Sequence, residues 1–411
     1  MKAKLIKHII LITIVVLSCH QSNAQLANKI EMTEDYQLLG LGTQHKIQSD
    51  ILKEERPVII SLPVGYHDNQ AEYPVLYVLD GLQNIKHTVG TVELLTESGL
   101  IPPIIVVGIQ SLDRNRDFTP SKAGKDLQGS TGNSGIPQSG GAPKFLEFLS
   151  EELIPFVDNN YRTHPYRILE GHSFGGLFSV YTLMENPELF DAFIIQAPAL
   201  WWNKEEMTEK VKTFFKSNRI LNKTVYFGIG GGDGWGMQQE LIRYVDVVKQ
   251  HQPKNFRWLH EELGDEGHMA SRLLLNYNGL KFLFSDLKLS DELISNFNDD
   301  CFLDAEEQLK TKYGNMARRP AEDYFNLVSV LVNKENDLEA ITVLKKASEA
   351  YPMYIGLLTQ LAKLYEKTNQ KEKAIETYFL GIEVSKKYKQ GQEEDLQKEI
   401  DKLRKIQGNT N

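Results

Sequence analysis

Three short stretches of this chain hold residue types that, brought together, transfer acyl groups. The first is "EGHSFGG", residues 170 to 176. A serine hydroxyl is a weak nucleophile and has to be both activated and exposed. The G-x-S-x-G spacing does the second job: a strand ends, the chain turns sharply with Ser173 at the apex, and a helix begins, with flanking glycines leaving room for the turn. "YRILEG" before the serine reads as a strand and "GLFSVYTLMEN" after it as a helix, which is the setting a nucleophile requires and an ordinary turn serine does not.

The second stretch is "GDEGHMA", residues 264 to 270. After a nucleophile of this kind, an acid and then a histidine are expected in chain order, each in a loop beyond a later strand. His268 follows the strand-like "FRWLHEELG" and precedes a helical run from Ser271, so it is the expected general base. His260 falls inside the strand, while His251 and His172 have no such loop. The third stretch, "YFGIGGGDGWG", sets Asp233 just past a strand, where it could fix the imidazole tautomer. Asp265 and Glu266 are rivals because they share the loop of His268. "GIGGGDG" begins like a dinucleotide fingerprint, but Asp233 occupies the third glycine position and no opening βαβ unit surrounds it, so a nucleotide role is rejected. Donors for a developing oxyanion are expected from the backbone N–H of Phe174 and from "LDGLQN", with Gly81 and Leu82 the candidates there.

Elements that could position these groups are readable around them. Apolar runs at 58–66, 74–81, 104–110, 166–171, 192–198, 224–230 and 256–264 read as strands, several without polar interruption, as in central parallel strands covered on both faces. Helices are expected between them, for example at 143–160 and 175–186. The result is an α/β domain with a doubly wound, mostly parallel sheet. Residues 113 to 143, rich in Gly, Ser and Pro, are expected to form a lid or rim.

Beyond about residue 290 the strand pattern stops. "DLEAITVLKKASEAYP" and "KEKAIETYFLGIEVSK" match at an offset of 34 residues, aligning Ala340 with Ala374 and Ala347 with Gly381. Leu327 aligns with Leu361 at the same offset. Two helices per 34-residue unit resembles the tetratricopeptide repeat, over about residues 320 to 388. The expected organisation is a leader at 1–24, an α/β domain at 25–289 and a small all-α domain at 290–411. Such repeats could dock a partner protein, and a chain whose main role is that docking is the alternative reading.

Composition bounds the remaining possibilities. Apolar residues at 41% and charged residues at 25% are those of a folded chain. The N-terminus carries Lys2, Lys4 and Lys7, an apolar run from Ile9 to Leu17 and then small polar residues, a secretory pattern too short to span a bilayer. "SNA" before Gln25 fits cleavage, while "VLSC" at Cys19 is an imperfect lipid-attachment box that would anchor the chain to a membrane. Loss of those three lysines takes the formal charge from −9 to −12, which argues against nucleic acid. Cys301 would then be the one remaining cysteine, so no internal disulfide forms.

Together, "YPVLYVLDGLQN", "RNRDFTP", "KFLEFLSEELIPFVDNNYRT", "GHSFGGLFSVYTLMENPELFDAFIIQAPALWW" and "GDEGHMA" resemble the esterase family that includes ferric-enterobactin esterases, esterase D and the mycolyltransferase-like antigens, within the α/β-hydrolase superfamily. The resemblance covers about residues 30 to 288. It implies an esterase with Ser173 as nucleophile, His268 as base and an oxyanion hole at Leu82 and Phe174; with the secretory N-terminus, the expectation is an exported serine esterase acting on a siderophore lactone or on an acetyl or feruloyl ester of a saccharide. It also implies an acyl pocket near Trp201 and Trp202, which could stack on a flat ring, and near Arg114 or Arg116, which could meet an anionic group. No metal or cofactor is implied. "GHMA" replaces the more usual small residues after the histidine, which would narrow the pocket.

Overall fold

The computed structural model describes residues 40–123, 138–234 and 236–408. The expected leader, Cys19 and the middle of the 113–143 stretch lie outside the described residues.

All seven apolar runs form strands: β2 (Glu54–Ser61), β3 (Tyr73–Leu79), β4 (Ile105–Ile109), β5 (Thr163–His172), β6 (Ala192–Gln196), β7 (Ile220–Gly230) and β8 (Lys254–Leu263). Every residue of β3, β4 and β6 is buried, as their unbroken apolar sequence requires. One further strand, β1 (Thr43–Ser49), has the sequence TQHKIQS, mostly exposed and with a single aliphatic residue. Such a polar edge strand leaves no hydrophobic signature to read. The sheet order is β1-β2-β4-β3-β5-β6-β7-β8, with β1, β2 and β4 paired antiparallel and the rest parallel. The chain reverses its direction of winding at β3, so the carboxyl ends of β3 and β5 face the crevice where α/β sheets bind ligands.

Alternate residues of each strand serve the two faces. Val75, Tyr77 and Leu79 join one core with helices α3 (Ala142–Phe148), α4 (Ile154–Asn160), α5 (Phe174–Glu185), α6 (Glu206–Ser217) and α7 (Met237–His251). Leu76 and Val78 join the other, with α1 (Gly81–Glu97) and α8 (Ser271–Leu283). The helix expected at 143–160 is interrupted by a π turn at Leu149–Leu153 between α3 and α4. Pro155, which has no N–H for the carbonyl four residues back, accounts for the break. Within 113–143, residues Arg114–Phe118 form the short helix α2.

The C-terminal region is all helical: α9 (Asp291–Ser295), α10 (Asp299–Tyr313), α11 (Ala321–Asn333), α12 (Asp337–Ala350), α13 (Ile355–Lys367), α14 (Lys371–Tyr388) and α15 (Glu393–Gly408). Helices α11 and α13 begin 34 residues apart, as do α12 and α14. The turn inside each hairpin uses the same left-handed residue, Glu335 at φ 60° and Asn369 at φ 59°. Ala340, Ala347 and Ala374 are fully buried where helices meet. Helix α10 also belongs to the sheet's second core, because Tyr313 packs its ring 4.8 Å from that of Tyr166 and 4.9 Å from that of Phe284. No helix among the described residues is long and apolar enough to cross a membrane.

Candidate active site

The turn between β5 and α5 is strained at one residue. Ser173 has φ 62° and ψ −116°, a region that non-glycine residues avoid at a cost of about 1–3 kcal/mol. The neighbours hold it there. Its N–H donates to the carbonyl of Gln196 at 2.9 Å, and its own carbonyl accepts from Leu177 at 2.9 Å and Ala199 at 3.0 Å. A side chain at Gly171 would put Cβ 2.2 Å from the carbonyl oxygen of Gly175, so only glycine lets the strand pass under the helix so closely.

Ser173 and His268 line the same hollow of about 290 Å³ at the carboxyl edge of the sheet, together with Asp80, Gln83, Asn84, Arg114, His172, Met269 and Arg272. His268 turns Nδ1 toward Asp233, 2.7 Å from Oδ1. The side chain of Asp233 is 1% exposed. Burial pushes this carboxyl above its ordinary range, against the opposing pull of the His268 imidazole. The glycine run that surrounds Asp233 has a steric reason: a Cβ at Gly231 would lie 1.6 Å from the carbonyl oxygen of Gly264, so the β7 and β8 loops can approach this closely only with glycine at 231. Of the two rivals, Asp265 is exposed, and Glu266 meets the β7 loop through its backbone, accepting from Gly232 at 2.9 Å.

Leu82 and Phe174 stand in the first turns of α1 and α5, where backbone N–H groups have no acceptor within the helix. The α1 turn is set by Asp80, left-handed at φ 52°, and by Asn84, whose side chain donates to the carbonyl of Leu79 at 2.9 Å. Arg114 clamps the same turn, giving Nε and Nη2 to the two oxygens of Asp80 at 2.9 and 3.0 Å.

Two expected contacts are not made. Arg116 lies away from the hollow, bound to Glu54 at 2.7 and 3.0 Å and to Asp117 at 2.7 Å beside the fully buried Arg56, so its charge is already matched. Trp202 is fully buried and donates Nε1–H to the Ser121 hydroxyl at 3.1 Å, which makes it core rather than a stacking surface. Trp201 is half-buried, with its ring 5.5 Å from that of Phe174.

His172, set aside in the sequence because it lacks a loop, is part of the assembly. Its Nε2 lies 2.8 Å from the backbone carbonyl of His268, which can only accept, so His172 donates from Nε2. The two rings are 4.3 Å apart. Burial, aided by neighbouring positive groups, pushes the His172 pKa down to about 3, so the ring stays neutral. One step further back along β5, Glu170 is buried between the side-chain amides of Gln196 and Asn276, each 2.7 Å away. Burial pushes its pKa up to about 7. The available signal for both residues was a titratable side chain just after the apolar pair Ile168 and Leu169 in a central strand that leads to the serine turn.

Comparison with known proteins points the same way. A family model described as "Putative esterase" matches residues 49–270. The ferri-bacillibactin esterase BesA of Bacillus subtilis is 29% identical over 234 residues, which is 52% of this chain and 79% of that protein. The siderophore triacetylfusarinine C esterase of Aspergillus fumigatus is 25% identical over 198 residues, 47% of this chain and 67% of the other. Among solved structures, the BES protein from Bacillus cereus has a TM-score of 0.55 and 26% identity, covering 61% of this chain and 99% of its own. An IroE-like serine hydrolase from Shewanella oneidensis, at a TM-score of 0.62 and 24% identity, covers 75% of this chain and 99% of its own and shares the fold.

Proposed function

The chain belongs to the esterase family matched over residues 49–270, and from that premise we propose that it is an exported serine carboxylic-ester hydrolase working through an acyl-enzyme on Ser173. The observation that carries the proposal is the strained Ser173 turn sharing one hollow with His268, whose Nδ1 is 2.7 Å from Asp233.

The Ser173 hydroxyl attacks the ester carbonyl while His268 takes its proton at Nε2. Asp233 keeps the remaining proton on Nδ1 and offsets the imidazolium charge. The N–H groups of Leu82 and Phe174 receive the oxyanion. His268 returns its proton to the departing alcohol, and water, activated by the same imidazole, releases the acid and restores the serine. The substrate class best supported is a siderophore-type ester or lactone, because the relatives named above act on such compounds. The leader-like N-terminus supports export.

Ser173→Ala is expected to lower kcat/KM for p-nitrophenyl butyrate by at least about a thousandfold with an unchanged melting temperature. Turnover retained in that variant defeats the assignment. A hydrolysis screen across lactone, acetyl, feruloyl and thioester substrates tests the substrate class; a clear preference for a feruloyl or acetyl saccharide ester would overturn it.

A further inference from the structure

Two arginines line the hollow beside Ser173, and they are engaged differently. Arg114 spends its charge on Asp80 through two hydrogen bonds to one carboxylate. Arg272, in the first turn of α8, meets only neutral acceptors: Nε donates to the carbonyl of Met269 at 3.0 Å and Nη1 to Oδ1 of Asn84 at 2.9 Å. A guanidinium has five N–H donors. One on Nη1 and both on Nη2 therefore have no protein acceptor among the described residues, and no carboxylate there stands within ion-pair distance of Arg272.

The two neutral bonds fix the plane of the guanidinium before any ligand arrives, so a charged partner finds a formed site rather than a mobile side chain. The guanidinium also acts on two imidazoles nearby. His172 and His87 are both held below the usual histidine range, each mainly by burial and in part by Arg272. The charge is local, because the whole chain is formally −9. An anionic substrate would meet net repulsion at long range and attraction inside the hollow. At about 290 Å³ the hollow is smaller than most ligand pockets, and Arg272 and Ser173 both line it, so a group seated against Arg272 shares that small space with an ester carbonyl at Ser173.

Building on the esterase reading above, we propose that Arg272 selects the substrate: it pairs with a carboxylate or comparable oxyanion carried close to the scissile ester. Anionic esters are then the preferred class, and neutral esters of the same size are poor substrates.

The test compares p-nitrophenyl esters with one leaving group, the monoglutarate against the neutral butyrate, in the full chain and in Arg272→Gln, Arg272→Lys and Ser173→Ala. The readout is the ratio of kcat/KM for the anionic ester over the neutral one. The wild-type ratio is expected to exceed one and to fall by about ten- to a hundredfold in Arg272→Gln, the range for a charge-assisted hydrogen bond. Arg272→Lys, which keeps the charge but not the planar fork, is expected to lie between the two. If Arg272→Gln does not fold, the lysine variant and a salt titration decide, since the wild-type ratio is expected to shrink as ionic strength rises from about 0.02 to 0.5 M. A ratio unchanged in Arg272→Gln, or a wild-type ratio of one that is insensitive to salt, overturns the proposal. Failure of the underlying reading has a different signature: Ser173→Ala hydrolysing both esters at wild-type rates removes the nucleophile while leaving the charge preference measurable.

Discussion

The largest contrast in the molecule is between two hollows. The one at Ser173 holds about 290 Å³; the other, bordered by Asp68 and Asn69 on one side and by residues of α10, α11, α12 and α14 on the other, holds about 940 Å³. The large groove is lined by Met316, Met353, Tyr354 and Tyr388, and two of its carboxylates are paired: Glu306 is bound by Arg319, and Glu349 accepts from Lys346 at 2.8 Å. The small hollow gathers a strained serine, an imidazole oriented by a buried carboxylate, a neutral buried histidine and an arginine with free donors. Size does not mark the chemistry. Groups held in states they would not adopt in water do.

That contrast can be tested by substitution on each side. Asp233→Asn, which removes the charge that orients His268, is expected to cut kcat for p-nitrophenyl butyrate by about a hundred- to ten-thousandfold while barely changing KM. A loss below tenfold would mean that His268 needs no acid. Tyr313→Ala acts where the helical region and the sheet share a core; it should cost about 3–5 kcal/mol in chemical denaturation. A cost under 1 kcal/mol would show that α10 contributes little to the catalytic half.

Glu170 gives a pH signature. Its pKa is raised from 4.5 to about 7, so the folded chain keeps a proton there that the unfolded chain has lost, and its contribution to stability declines as pH rises through that window. Glutamine does not titrate. Glu170→Gln should therefore gain on the wild type by about 3 kcal/mol between pH 4.5 and 8. Urea midpoints that stay parallel across that range would contradict a protonated Glu170. At the small end, Leu338→Ser on the exposed face of α12 should stay within about 0.5 kcal/mol of the wild type and leave ester turnover alone.

The sheet was legible because its central strands are continuous apolar runs, and the 34-residue spacing of the hairpins was legible because close helix contacts demand small residues at fixed positions. β1 was not, since an edge strand facing water needs no apolar period. Within the site, Ser173, His268 and Asp233 lie at strand ends, where a local motif and chain order locate them. Arg116 and Trp202 illustrate the limit: whether a charge or ring faces a cavity or a partner depends on residues distant in sequence, here Glu54 and Ser121. His172 and Arg272 were missed for the same reason, because their significance comes from the backbone of His268 and from Asn84, 96 and 188 residues away.

The most direct test is covalent labelling with a fluorophosphonate followed by peptide mass spectrometry. The expected result is one adduct, on the peptide containing Ser173, forming far more slowly in His268→Ala. An adduct on a different serine, or no adduct on a chain that hydrolyses p-nitrophenyl butyrate, contradicts a nucleophilic Ser173.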